Sequence, residues 1–127
     1  MSNSDGLHAK LTEAIIGAAI AVHRVLSAGF VEAIYEGALF HELTRRGFAV
    51  ERQKIVPVLY DGVVVGEHRI DLLVEGSVVL ELKAVERLLE VHTAQIMSTL
   101  KAANLRVGLL INFKETKLVN GVKRIVL

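Results

Sequence analysis

Asp71-Leu72-Leu73-Val74-Glu75-Gly76-Ser77-Val78-Val79-Leu80-Glu81-Leu82-Lys83 is the stretch whose reading decides the fold. It reads as a β-hairpin with a turn at Glu75-Gly76-Ser77. Side chains alternate between faces along a strand, and antiparallel partners stand opposite one another. That register sets Asp71 across from Glu81 and Lys83 across from Arg69, all on one face. The other face carries Ile70, Leu72, Val74, Val78, Leu80 and Leu82, all apolar. A core accepts the second face. The first holds charges that a core would not take without a purpose. Paired carboxylates beside a lysine suit a Mg²⁺ site for phosphodiester hydrolysis.

Outward from the hairpin, Phe48–Tyr60 reads as a strand that Pro57 marks as an edge. Asp61-Gly62 is a two-residue hairpin turn leading into Val63-Val64-Val65. Before these strands, a first helix is expected from about Leu7 to Leu26, capped by Ser4 or Asp5. Its centre, Ala14 to Val22, is apolar nearly all round and predicts deep burial. A second helix runs from Val31 to Arg46 and stops at Gly47. After the hairpin come a helix over Glu90–Ala103 and an apolar strand over Leu105–Phe113, suited to a parallel central position. Asn120-Gly121 predicts a terminal hairpin joining Thr116–Val119 to Val122–Val126. The element order implies an α/β fold with a mixed β-sheet flanked by helices.

The chain has 127 residues and 52% hydrophobic content, enough for one compact domain spanning 1–127, with 1–6 expected to be flexible. Fifteen basic and fourteen acidic residues leave a formal charge of +1, so no global field marks a nucleic-acid binder. A local basic cleft remains compatible with that balance, because metal-binding carboxylates offset nearby Lys and Arg. The absence of cysteine excludes disulfides and thiolate metal sites. Met1–Gly6 lacks the order of a secretory signal, and Ala14–Val22 is too short to span a bilayer. A cytoplasmic protein without membrane contact is the expectation.

Asp71 and Glu81 can ligate one divalent ion, with the Leu82 backbone carbonyl as a third oxygen. Lys83 can hold the phosphate or the attacking water. The same spacing also occurs in solvent-facing hairpins with a surface ion pair, so the pattern alone leaves both readings open. Glu32, early in the second helix, can reach the ion from the open side; its place in a first helical turn is also explained by the dipole. Glu36, one turn on, can serve instead. Gln95, in the third helix, can orient water or contact a phosphate. His8, His23, His41, His68 and His92 are dispersed, without a zinc-type pair. Of these, His23 is expected as a hydrogen-bonded core residue and His92 at the rim of the cleft.

Gly29-Phe30-Val31-Glu32-Ala33-Ile34-Tyr35 resembles the Gly-x-x-Glu-x-x-Tyr signature of the small bacterial GxxExxY proteins. Asp71, Glu81-Leu82-Lys83-Ala84, Gln95 and Gly108-Leu109-Leu110-Ile111-Asn112-Phe113 follow in the order typical of that family. Ser27-Ala28-Gly29 stands where the family commonly has Gly-Pro-Gly. The family is similar to a compact branch of the PD-(D/E)XK nuclease superfamily. The resemblance implies a restriction-endonuclease-like core. It matches Asp71 to the superfamily aspartate, Glu81 and Lys83 to the (D/E)-x-K pair, Glu32 to the helical acid and Gln95 to the helical polar residue. It further implies Mg²⁺- or Mn²⁺-dependent hydrolysis of DNA, structured or damaged DNA included. Self-association as a homodimer and a companion protein that supplies target choice are also expected. The alternative is a catalytically silent nucleic-acid-binding or assembly module that keeps the fold.

Overall fold

The computed structural model describes residues 6–127, so Ser4 and Asp5, and most of the segment expected to be flexible, lie outside the described residues. Two helices lead the chain, α1 (Ala9–Leu26) and α2 (Glu32–Arg45). Strands β1 (Val50–Tyr60), β2 (Val63–Val74) and β3 (Val78–Lys83) follow, then α3 (Glu90–Ala103), β4 (Val107–Asn112) and β5 (Val122–Val126). The five strands form one sheet in sequential order. All neighbours are antiparallel except β3 and β4, which are parallel because α3 carries the chain across between them. The α/β fold with a mixed sheet flanked by helices is therefore present, and it is consistent with a restriction-endonuclease-like core. No helix among the described residues is long and apolar enough to cross a membrane.

Both faces of the sheet are covered. Leu72, Val74, Val78, Leu80 and Leu82 pack under α1 and α2 with Ile15, Tyr35 and Leu39. Ile70, Leu73 and Val79 pack under α3 with Ile96 and Leu100. Strands buried on both sides read as continuous apolar runs, and every residue of β4 is buried. Its Gly108 is needed there: a Cβ would stand 2.8 Å from the Ile96 side chain.

Several expectations are corrected. Ile70 does not share a face with Leu72; it lies in the α3-side core. Alternation breaks at Asp71, opposite Gln53, which takes a left-handed φ of 52° and leaves a gap in the β1–β2 ladder between Arg52–Leu72 and Lys54–Ile70. The face assigned to charges also carries Leu73 and Val79, which are buried, so the charges gather at the strand ends. Helix α1 buries one stripe, Thr12, Ile15, Ala18, Ala19 and Val22, because helix and sheet cover only one side of it. Its N-cap is His8. The terminal hairpin does not form. A tight two-residue turn needs positive φ at both centres, and neither Asn120 nor Gly121 has it. Leu118–Gly121 is instead a 3₁₀ turn that buries Leu118 and brings Gly121 against the Asn112 carbonyl.

The Asp61-Gly62 turn, Pro57 on an edge strand, and the Glu90–Ala103 helix all appear where the sequence places them. Two buried polar groups then fix the loops around the parted ends of β2 and β3. The Tyr35 hydroxyl donates to the Ser27 carbonyl and accepts the Phe30 N–H at 3.2 Å. Its ring stacks on Phe113 with centroids 4.5 Å apart, so the turn into α2 is pinned to the end of β4. Gly29 in that turn has φ 131°, a conformation side chains disfavour. Asn112, fully buried, accepts the Val85 N–H (3.1 Å) and the Lys114 N–H (3.3 Å), and donates to the Val85 carbonyl (2.9 Å). It closes the chain leaving β3 onto the chain leaving β4. Asn112→Ala strips Val85 of both partners and is expected to cost about 2–3 kcal/mol. Tyr35→Phe is expected to cost about 1 kcal/mol. Urea unfolding checks both; an unchanged midpoint in Asn112→Ala refutes the clamp.

Candidate active site

The β2–β3 ladder runs from Val74–Val78 only as far as Leu72–Leu80. Beyond it the strands part, so neither Asp71–Glu81 nor Arg69–Lys83 becomes a ladder pair. Asp71 explains the parting. Its Oδ2 accepts the Leu82 N–H at 2.8 Å, taking the place of a main-chain carbonyl of β2. Leu82 can present that N–H because alternate residues of a strand direct their main-chain groups to opposite neighbours. The Lys83 carbonyl faces β4, where it accepts the Phe113 N–H at 2.8 Å. Leu82 therefore directs its N–H and its carbonyl toward Asp71.

Around this opening stand five charged groups. Asp71, Glu81 and Lys83 are half-buried. Glu32 is exposed at the start of α2, and Glu36 is buried one turn later. Burial pushes the Glu81 carboxyl up to about 7, reinforced by Asp71 and by Glu32 and Glu36, while Lys83 opposes the rise. Asp71 is raised too, first by burial and then by Glu36 and Glu32, with the Leu82 N–H and Lys83 opposing. The α2 acids therefore act on both strand acids. Helix and hairpin bring their carboxylates into one electrostatic unit.

Glu36 is already engaged. Its Oε2 accepts from Arg52 Nε at 3.0 Å, and its Oε1 accepts from Gln53 Nε2 at 2.6 Å. Arg52 in turn lies over the Phe40 ring. Sequence reasoning missed Arg52 and Gln53, because nothing in the strand pattern marks them; their signal is the left-handed turn at Gln53. Glu32, by contrast, borders a groove of about 590 Å³ with Gly29, Phe30, Val31, Ala33, Ala84 and Lys114. Ala84 follows directly on Lys83, so the groove runs beside the end of β3. Asp71 and Glu81 do not line it.

Gln95 is exposed on α3, which packs on the sheet face that carries Leu73 and Val79, and its side chain makes no hydrogen bond among the described residues. His68 Nδ1 donates to Thr99 Oγ1 at 2.9 Å, whose own hydrogen goes to the Gln95 carbonyl. His92 accepts the Leu89 N–H at 3.0 Å and caps α3. His23 holds the Glu115 carbonyl at 2.8 Å beside Phe113, as a hydrogen-bonded residue packed on the core.

A divalent cation fits the donors present. Two carboxylates and a main-chain carbonyl are hard oxygen ligands, and their crowding out of water is what a cation relieves. Among the described residues no three His, Cys, Asp or Glu side chains converge tightly enough for an all-protein cage. Mg²⁺ rarely has one, since it keeps several waters and takes one or two carboxylates.

The geometry finds its counterpart in sequence comparison. The profile of the PD-(D/E)XK nuclease superfamily matches residues 9–125, which take in every element from α1 to β5 but for one residue. No curated protein and no solved structure gives a match. A match over that much of the sequence shows the family: the chain belongs to the PD-(D/E)XK nuclease superfamily.

Proposed function

We propose that the protein is a divalent-metal-dependent nuclease that hydrolyses DNA phosphodiester bonds, and that it belongs to the GxxExxY branch of its superfamily. The observation that carries this reading is the half-buried Asp71–Glu81–Lys83 group at the parted ends of β2 and β3. Asp71, Glu81 and the Leu82 carbonyl, with Glu32 from the groove side, are the residues that would hold Mg²⁺ or Mn²⁺. The ion would supply charge relief at the phosphorus and at the leaving oxygen. Lys83 supplies the ammonium that holds a phosphate oxygen or the attacking water. Gln95 is assigned to orient water or phosphate once substrate lies across the strand ends. Structured or damaged DNA, presented with help from a partner protein, is the proposed target, because the domain has no separate reader module.

Purified protein is expected to cut a DNA substrate with Mn²⁺. Asp71→Asn keeps an acceptor for the Leu82 N–H, so it should fold normally and lose at least about 10²-fold in rate; Lys83→Ala should do the same. Undiminished cleavage by both variants rejects the assignment. The alternative reading is a catalytically silent nucleic-acid-binding or protein-assembly module with the same fold. Salt-sensitive DNA binding without cleavage across varied substrates would favour it.

The raised Glu81 acid gives an independent test. The folded chain holds its proton up to about pH 7, whereas the unfolded chain releases it near 4.5. Between those values the folded state binds more protons, so metal-free stability falls as pH rises. The expected loss from pH 5 to pH 8 is on the order of 2 kcal/mol. Glu81→Gln should flatten that slope, and Mn²⁺ should raise the melting temperature more at pH 8 than at pH 5. A metal-free melting temperature that climbs from pH 5 to pH 8 contradicts the assignment.

A further inference from the structure

The outer half of the β1–β2 hairpin has no core beneath it. Leu59, Tyr60, Val63, Val64 and Val65 are all apolar, yet they are between 59 and 75% exposed. A two-stranded ribbon is only marginally stable alone in water. Together with Ile55, 49% exposed, these side chains offer on the order of 700 Å² of surface, against the roughly 800 Å² per partner of a standard interface. Exposed patches of this size mark interaction sites.

Beside the base of the same hairpin lies a groove of about 500 Å³ between β1 and α3, floored by Val56, Pro57, Ile70, Leu73, Ala102 and Leu105. Lys54 and Glu51 stand on its wall, paired with each other at 3.1 Å. A second, adjoining hollow shares Ala102 and is lined by Lys101 and Leu59. The hairpin tip is Tyr60-Asp61-Gly62, an aromatic ring beside one acid. The molecule therefore carries an apolar arm with an acidic tip and, four to six residues back along the same strand, an apolar seat whose adjoining hollow presents Lys101. Two copies laid antiparallel bring each arm over the other's seat, the self-complementary arrangement a two-fold dimer requires. From Lys54 to Arg69 the arm has two basic and two acidic residues, Lys54 and Arg69 against Asp61 and Glu67, so no field draws it to phosphates. Pro57 removes an edge N–H from β1, which disfavours simple strand-to-strand pairing and leaves face packing as the contact.

We propose that the β1–β2 arm is a dimerisation element that docks in the β1–α3 groove of a second copy of this chain, with Tyr60 entering the groove and Asp61 meeting Lys101. Nothing in this interface uses the Asp71–Glu81 site, so it stands apart from the nuclease assignment.

Sedimentation equilibrium of the full chain tests it. The wild type is expected to be a dimer at tens of micromolar. Tyr60→Asp combined with Val64→Lys, both at exposed positions, should give a monomer with an unchanged circular-dichroism melt. Asp61→Lys and Lys101→Asp should each weaken the dimer about tenfold, and the two together should restore it. A wild type that stays monomeric at about 200 µM, a dimer indifferent to the arm variant, or charge reversal without restoration would each overturn the proposal. So would a monomer whose arm variant loses DNA affinity, which would assign the arm to nucleic acid.

Discussion

One hydrogen bond organises the site: Asp71 Oδ2 accepting the Leu82 N–H at 2.8 Å. A carboxylate that satisfies a strand N–H does two things at once. It ends the β2–β3 ladder without leaving a main-chain donor unpaired, and it holds the acid beside Glu81 and Lys83. The strands must part for a substrate to reach their ends, and an unpaired N–H in a half-buried place would cost about 1–3 kcal/mol. The side chain removes that penalty. Its irregular partner strand contributes as well, since the left-handed Gln53 opposite Asp71 breaks the β1 side of the ladder at the same level.

Around this opening two neutral, buried groups serve as scaffold. Tyr35 ties the start of α2 to Ser27 and Phe30 while its ring rests on Phe113. Asn112 ties Val85 to Lys114. Both sit where loops meet the ends of strands, and both are inaccessible to solvent. The turn at Ser27-Ala28-Gly29, looser in composition than Gly-Pro-Gly, is thus held by a hydroxyl from the helix it precedes. The motif Gly-x-x-Glu-x-x-Tyr acquires a physical meaning: Gly29 makes the turn, Tyr35 locks it, and Glu32 is the acid presented.

The parts of the fold written in local pattern were legible in the sequence. Apolar runs of strand length, Asp61-Gly62, Pro57 and the helix over Glu90–Ala103 are signals that each short segment carries alone. Ile70 leaves the face that strict alternation predicts for it, because the break at Asp71 depends on Gln53, about eighteen residues away in sequence and adjacent only in the sheet. Asn120-Gly121 has hairpin composition, but the close approach of Gly121 to the Asn112 carbonyl imposes a different turn. At the site, Asp71, Glu81 and Lys83 were legible because strand spacing places them. Gln95 was legible only as a polar residue of the third helix, and α3 lies on the other face of the sheet from the α2 acids.

The two acids of α2 differ in what surrounds them, and that difference argues for their roles. Glu36 accepts from both Arg52 and Gln53 and is buried, so drawing it to a cation would forfeit two bonds and leave the Arg52 guanidinium uncompensated. Glu32 makes no side-chain hydrogen bond among the described residues, stands exposed on the groove wall and still acts on Asp71 and Glu81. It can approach a ligand without giving up a partner. Glu36 is then better understood as the fixed member: anchored by β1, it keeps α2 in place over the hairpin, and its negative charge adds to the burial that raises the strand acids. A cation arriving at Asp71 and Glu81 would meet one acid already committed and one able to move.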